Sequence, residues 1–262
     1  MLIDTHAHLN FKAFKNDLEE VVKRSLAENV WLINVGSKYE TSKKAVEIAE
    51  KYKKGVFGAI GLHPIHAKDE VFDKEKYKKL ALRSFGEGGK VVAIGEIGLD
   101  YDREYGLFKE KQKEVFLEQL GLSKELELPV IFHCRKAHED LLEILKNNQI
   151  HGVIHCFTGK WKQAKEYLDM GFYLGFNGII YKLDLNEVIK KTPLERILVE
   201  TDCPYLTPPL ARRSPAEKRD EGGRNEPIFV KYIAEEIAKI KNLDFQKVAE
   251  ITAQNAKDLF RL

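Results

Sequence analysis

His6 and His8 stand two residues apart at the end of an apolar run, and His133 and His155 each close another such run. Glu96 follows the apolar stretch VVAIG, and Asp202 follows RILVET. Imidazole nitrogen and carboxylate oxygen are ligands of divalent cations, and a cation held by several of them activates water for hydrolysis. These side chains are too polar to end buried runs for packing alone, because an unpaired buried carboxylate is strongly destabilising. A divalent-metal hydrolase is the chemistry their types suggest. Glu96 has two oxygens with which to bridge two cations. Asp202 can bind a cation and take a proton from water, and Glu200, on the same face by the two-residue strand period, can support it from behind.

The same period turns His6 and His8 to one side. It turns Cys134 and Cys156, each directly after a histidine, to the opposite face as small buried residues. The site is then one of nitrogen and oxygen donors, suited to zinc, manganese or iron, without the thiolate set of a structural zinc. His63 and His66 in GLHPIHA are candidates to contact substrate, and Arg135 is placed to meet an anion beside His133.

Positioning these residues is the work of alternating short apolar runs and amphipathic stretches. Strands are expected over 2–5, 30–35, 55–60, 91–95, 129–132, 152–154, 172–176 and 197–200. Continuous β-branched runs such as VWLINV and VVAIG read as parallel strands covered on both faces. Between them, Leu141, Leu142 and Leu145, or Ile233, Ile237 and Ile240, have the spacing of helices with one buried face. Asn16 or Asp17 is placed to cap the first helix, and Thr41 or Ser42 lies near the start of the second.

Eight strand–helix units without a Pro/Gly-rich linker predict an α/β fold, a single (β/α)8 TIM-type barrel over residues 1–262; a doubly wound open sheet is the alternative. All the candidate residues then fall at the C-terminal rim, where barrels of this kind place their active sites. Two long loops, 98–108 and 204–227, follow strands that end in candidates. The second carries Arg212, Arg213, Lys218, Arg219 and Arg224, at the usual anion-binding position after the last strand. Tyr101, Tyr105, Phe157 and Trp161 on neighbouring loops are candidates to stack a base.

The chain has 262 residues, 44% hydrophobic and 32% charged, which is ordinary for a folded globular protein. A net charge of +2 means that any nucleic-acid partner is met through a local patch. The start MLIDTHAHL has no cationic segment ahead of a long apolar one, and no run approaches the ~18 apolar residues of a membrane span. Three cysteines without a C-x-x-C motif fit a reducing cytoplasm. Plentiful lysine, glutamate and isoleucine with two methionines hint at a heat-loving source.

The segments IDTHAHLNF, GLHPIHA, IGEIGLDYD, HCRKA, HCFTG, GFYLGFNG, ETDCPYLTP and GRNEP occur in this order from end to end. In them the chain resembles the TatD family of metal-dependent deoxyribonucleases, within the wider amidohydrolase-like metal barrels. The resemblance implies a two-metal centre (magnesium, manganese or zinc) that hydrolyses DNA phosphodiesters, with exonucleolytic action expected. Its ligands would be His6, His8, Glu96, His133, His155 and Asp202. On this reading His6, His8 and Asp202 hold one cation, His133 and His155 the other, and Glu96 lies between. Asp202 takes the proton, while His63, Arg135 and Arg224 orient the DNA backbone with little sequence preference. Two departures stand out: Asn10 where the family often has aspartate, and a longer, more charged stretch at 210–223. An ester or amide hydrolase, such as an aminoacyl-tRNA deacylase or lactonase, would use the same centre. The third reading is a nucleic-acid-binding protein with an inactive site. DNA is the expected partner, with neither a membrane nor an obligate protein partner indicated.

Overall fold

Each expected apolar run is a strand. The computed structural model describes residues 1–83, 89–209 and 223–262. Its strands are β1 (Leu2–Ala7), β2 (Val30–Val35), β3 (Val56–Ile60), β4 (Val91–Asp100), β5 (Val130–Arg135), β6 (Gly152–Ile154), β7 (Tyr173–Phe176) and β8 (Ile197–Val199). They pair in chain order, every pair parallel. A parallel bridge between Ala7 and Cys203 returns the chain beyond β8 to β1. Beside it the His8 amide donates to Cys203 O at 2.9 Å and the Asp202 amide to His6 O at 2.8 Å. The sheet thus rolls up into the TIM-type (β/α)8 barrel, and the open alternative is set aside because the strand order never reverses.

Around the sheet lie α1 (Leu18–Ala27), α2 (Tyr39–Glu50), α3 (Lys74–Leu82), α4 (Lys109–Leu126), α5 (His138–Lys146), α6 (Trp161–Asp169), α7 (Asn186–Lys191), α8 (Val230–Lys241) and α9 (Phe245–Phe260). Leu141, Leu142 and Leu145 of α5 and Ile233 and Ile237 of α8 are buried, as their spacing requires. The interior cluster joins Ile3, Ile33, Ala59, Ile131, Val153 and Leu198 to the face of α9 made by Ala253, Ala256, Leu259 and Phe260. Asp17 precedes α1 but makes no capping bond, whereas Thr41 Oγ1 accepts the amides of Ser37 and Lys38 at 2.9 and 3.0 Å. Among the described residues no helix is long and apolar enough to cross a membrane.

The main departures from expectation lie at polar residues, which do not end their strands. β1, β4 and β5 continue through the polar candidates, so residues 98–100 belong to β4 rather than to a loop. Two of these strands carry an extra residue there. Asp4 and Ala7 of β1 oppose Leu32 and Asn34 of β2, and Ile94 and Ile97 of β4 oppose Val130 and Phe132 of β5. Three steps against two shift the alternation, so a strand that turns Ile3 or Ala93 inward low in the barrel also turns His6 or Glu96 inward at the rim. Gly98 is required next to this bulge: at φ +143° a Cβ would fall 2.1 Å from His133 O.

Candidate metal centre

Glu96 is the hub of the rim. Its Oε2 lies 3.3 Å from His6 Nε2 and 3.9 Å from His8 Nε2. Its Oε1 lies 2.6 Å from His133 Nδ1, 3.3 Å from His63 Nε2 and 3.7 Å from His155 Nε2. The two oxygens of one carboxylate therefore face two separate histidine groups. Asp202 Oδ1 joins the first group, 3.4 Å from His8 Nε2 and 4.0 Å from His6 Nε2. Asp202 reaches it from a left-handed backbone position, φ +56°, uncommon for a non-glycine residue though less so for aspartate. Its amide donates to His6 O from that position.

The rings are held from behind. Val35 O lies 2.9 Å from His8 Nδ1, so that nitrogen carries the proton and Nε2 turns a lone pair inward. His155 Nδ1 lies 2.8 Å from Glu200 Oε1, an oxygen that also accepts the Cys156 amide at 2.8 Å and Asn177 Nδ2 at 3.0 Å. Glu200 stands behind His155 rather than behind Asp202. His133 Nε2 lies 3.0 Å from Asp100 Oδ2. His6 and His155 stack face to face, with centroids 3.5 Å apart. Asp4, fully buried, accepts the amides of His6 and Thr201 and the Thr201 hydroxyl, tying β1 to the chain after β8.

Burial opposes ionisation of Glu96, but His63, His155, His6 and His133 around it outweigh burial and hold its carboxyl well below the usual range. His133 is lowered by burial but lifted further by Glu96 and Asp100, to about 9. His155 is likewise lowered by burial but lifted further by Glu200 and Glu96, to about 10. Burial dominates at His63 and pushes it down to about 4. The carboxylates thus impose a field that favours positive charge among the imidazoles. A divalent cation meets the same field without demanding protonated rings. The donors fit it: three groups, His6/His8/Asp202, His6/His155/Glu200 and His63/Glu96/His133, each bring candidate ligand atoms within 4.8 Å of one another.

The groups open on a cavity of about 840 Å³, a size suited to a small organic ligand. His63, His66 and Arg135 line it as expected, and so do Phe11, Lys136 and Tyr205. Arg224 does not reach it. Its guanidinium is taken up by both oxygens of Asp17, at 2.8 and 2.7 Å, and by Glu226 at 2.8 Å, so its charge is spent on joining residues 223–226 to α1. The base-stacking set is also corrected. Phe157 is fully buried among core rings, Tyr101 donates its hydroxyl to Asp140, and Trp161 packs against the core. Tyr105 does not line the cavity either. Tyr205, 55% exposed, and Phe11 offer rings in their place.

Cys156 lines the cavity instead of facing away, because the chain leaves β6 at Ile154 and Cys156 adopts φ +46°, which ends the alternation. Cys134 also borders the cavity, but its Sγ keeps the expected direction, 3.2 Å from His138 Nδ1 and 3.9 Å from the Tyr167 hydroxyl. Asn10 donates from Nδ2 to Val35 O and Thr41 O, so it braces the carbonyl that holds His8. Residues 210–222, with Arg212, Arg213, Lys218 and Arg219, lie outside the described residues. Asp100 was not anticipated, although it stands four residues beyond Glu96 and shares its face once β4 is extended. Asn177 carried no comparable signal.

The chain is similar to known proteins along its whole length. The family described as TatD related DNase matches residues 3–261. An uncharacterized metal-dependent hydrolase, YabD of Bacillus subtilis, is 43% identical over the full length of both chains. A protein of Erwinia tasmaniensis named 3'-5' ssDNA/RNA exonuclease TatD is 33% identical, again covering both chains completely. The crystal structure of YJJV, a TatD homolog from Escherichia coli, superposes with a TM-score of 0.87 at 29% identity, covering 100% of this chain and 98% of that one. The protein therefore belongs to the TatD family of metal-dependent hydrolases.

Proposed function

We propose that the chain, acting as one catalytic unit over residues 1–262, is a metal-dependent deoxyribonuclease that removes nucleotides from the end of single-stranded DNA. The observation that carries this is Glu96, whose Oε2 faces His6 and His8 while its Oε1 faces His133, His155 and His63. Such a carboxylate is arranged to share two cations, with His6, His8 and Asp202 on one side and His133 and His155 on the other. Two divalent cations, magnesium, manganese or zinc, would supply Lewis acidity and offset the charge of the phosphodiester.

The chain's own residues do the rest. Asp202 stands beside the first group with 17% of its side chain exposed to the cavity, placed to accept a proton from an attacking water. Glu200 and Asp100 fix the rings of His155 and His133, so neither ring reorients as charge develops. His63 Nε2, kept neutral by burial, faces the site and can donate a hydrogen bond to a phosphate oxygen. Tyr205 offers a ring on which a terminal base can stack, and such stacking tolerates any sequence. The relative named as an exonuclease for single-stranded DNA and RNA supports the same substrate class.

The test uses metal-stripped protein with end-labelled single- and double-stranded DNA, RNA and small esters, adding magnesium, manganese or zinc back separately. Stepwise shortening of the single strand, restored by cation, is expected. Turnover confined to esters would replace the reading with carbonyl hydrolysis, and binding that ignores chelator without cleavage would replace it with an inactive binding protein.

A further inference from the structure

Asp102 anchors a charged cluster at the cavity mouth that the metal chemistry leaves unused. Its carboxylate, 7% exposed, accepts Lys136 Nζ at 2.6 Å and Arg135 Nη2 at 2.8 Å, with Arg103 Nε 3.7 Å away. One carboxylate against three cations leaves positive charge in excess. The excess faces outward, since the side chains of Arg135 and Lys136 are 54% and 69% exposed and both residues line the cavity. As a stabilising device the cluster would be a poor one, because exposed ion pairs contribute little. It also carries strain, as Lys136 and Arg103 sit at φ +54° and +49°, in the left-handed region.

The cluster is continuous with the metal centre. The Asp102 amide donates to Asp100 Oδ1 at 2.9 Å, and Asp100 Oδ2 lies 3.0 Å from His133 Nε2. Arg135 follows His133 by two residues on β5, a displacement of about 6.6 Å along one face of the strand. That is the scale of the step between successive phosphates on an extended single strand. A guanidinium and an ammonium there can hold one phosphate by charge-assisted hydrogen bonds.

We infer that Arg135 and Lys136, aimed by Asp102, bind the phosphate next to the scissile one, so that the site selects a polynucleotide over an isolated phosphoester. The inference rests on the nuclease reading above. It is tested with a single-stranded oligonucleotide whose penultimate linkage from the cleaved end is a neutral methylphosphonate, against the unmodified strand. The wild-type protein should show KM raised about ten-fold on the modified strand with kcat nearly unchanged. The double variant Arg135→Ala/Lys136→Ala should treat the two strands alike, and the slope of its log KM against log salt should flatten by about 0.7. Equal KM for both strands in the wild type overturns the subsite and leaves the nuclease standing. A double variant that loses kcat yet keeps the wild-type discrimination also overturns it, since the cluster would then be structural. Failure to cleave the unmodified strand with any cation removes the nuclease reading and the subsite together.

Discussion

The two ends of the barrel obey different rules. Toward the bottom, Ile3, Ile33, Ala59, Ile131, Val153 and Leu198 alternate inward against α9. Left-handed residues remote from the site, such as Glu127, Asn242 and Arg261, cap helix ends, where that conformation is ordinary. At the rim both patterns break. β1 and β4 each carry a bulge, His6, His8, Glu96, His155 and Glu200 are buried, and Lys136, Cys156 and Asp202 adopt left-handed backbone at the cavity. The lower barrel gains free energy by burial, and the rim spends part of it on preorganised charge. Stability and chemistry should therefore respond to different substitutions.

The largest effect should come from the rim. Asp202→Asn is expected to lower kcat by about 10²- to 10⁴-fold while most of the bound cation is retained. Cleavage assays paired with elemental analysis check this, and near-normal turnover would move the proton-accepting role to another group. The converse belongs to the lower barrel. Leu259→Ala, at a buried position of α9, should cost about 2–5 kcal/mol in denaturant unfolding, with specific activity of the folded protein almost unchanged. Equal losses in both readouts would dissolve the distinction between the two ends.

Chelation should join the two regions thermodynamically. A cation present at a hundred times its dissociation constant stabilises the folded chain by about 2.7 kcal/mol. Stripping it should lower Tm by several degrees, reversibly, and by a similar amount in Leu259→Ala because α9 carries none of the candidate ligands. A melting temperature indifferent to chelator would argue that the rim holds no cation in the folded state.

The smallest expected effect lies behind the rim. His138, beside Cys134 Sγ and the Tyr167 hydroxyl, is pushed down to about 4 by burial. Its folded pKa is depressed below the unfolded value near 6.5. Its contribution is therefore fully present above pH 6.5 and is lost as pH falls toward 4, on the order of 1–3 kcal/mol. His138→Gln should flatten that part of the stability–pH curve, and an unchanged slope would show that His138 titrates alike in the folded and unfolded states.

Much of this was legible in the chain because the physics is local. Apolar β-branched runs place all eight strands, and a carboxylate directly after VVAIG marks Glu96 whatever surrounds it. What stayed hidden depends on distance. Arg224 is bound by Asp17, 207 positions away, so a cation beside the last strand looked free for substrate. Phe157 looked available for stacking because the inward turn after β6 leaves no mark in HCFTG. Asp100 lies beyond a charge that would ordinarily end a strand, whereas the bulge at Glu96 carries β4 onward and keeps Asp100 on the inner face.

Under the proposed function, Glu96 would share two cations between two groups of histidines. Its most direct test is cation stoichiometry, by elemental analysis and calorimetric titration, on the wild-type chain and on Glu96→Gln. Two cations per chain falling to one or fewer in the variant is the predicted result. A single cation in the wild type, or an unchanged count in Glu96→Gln, would contradict it.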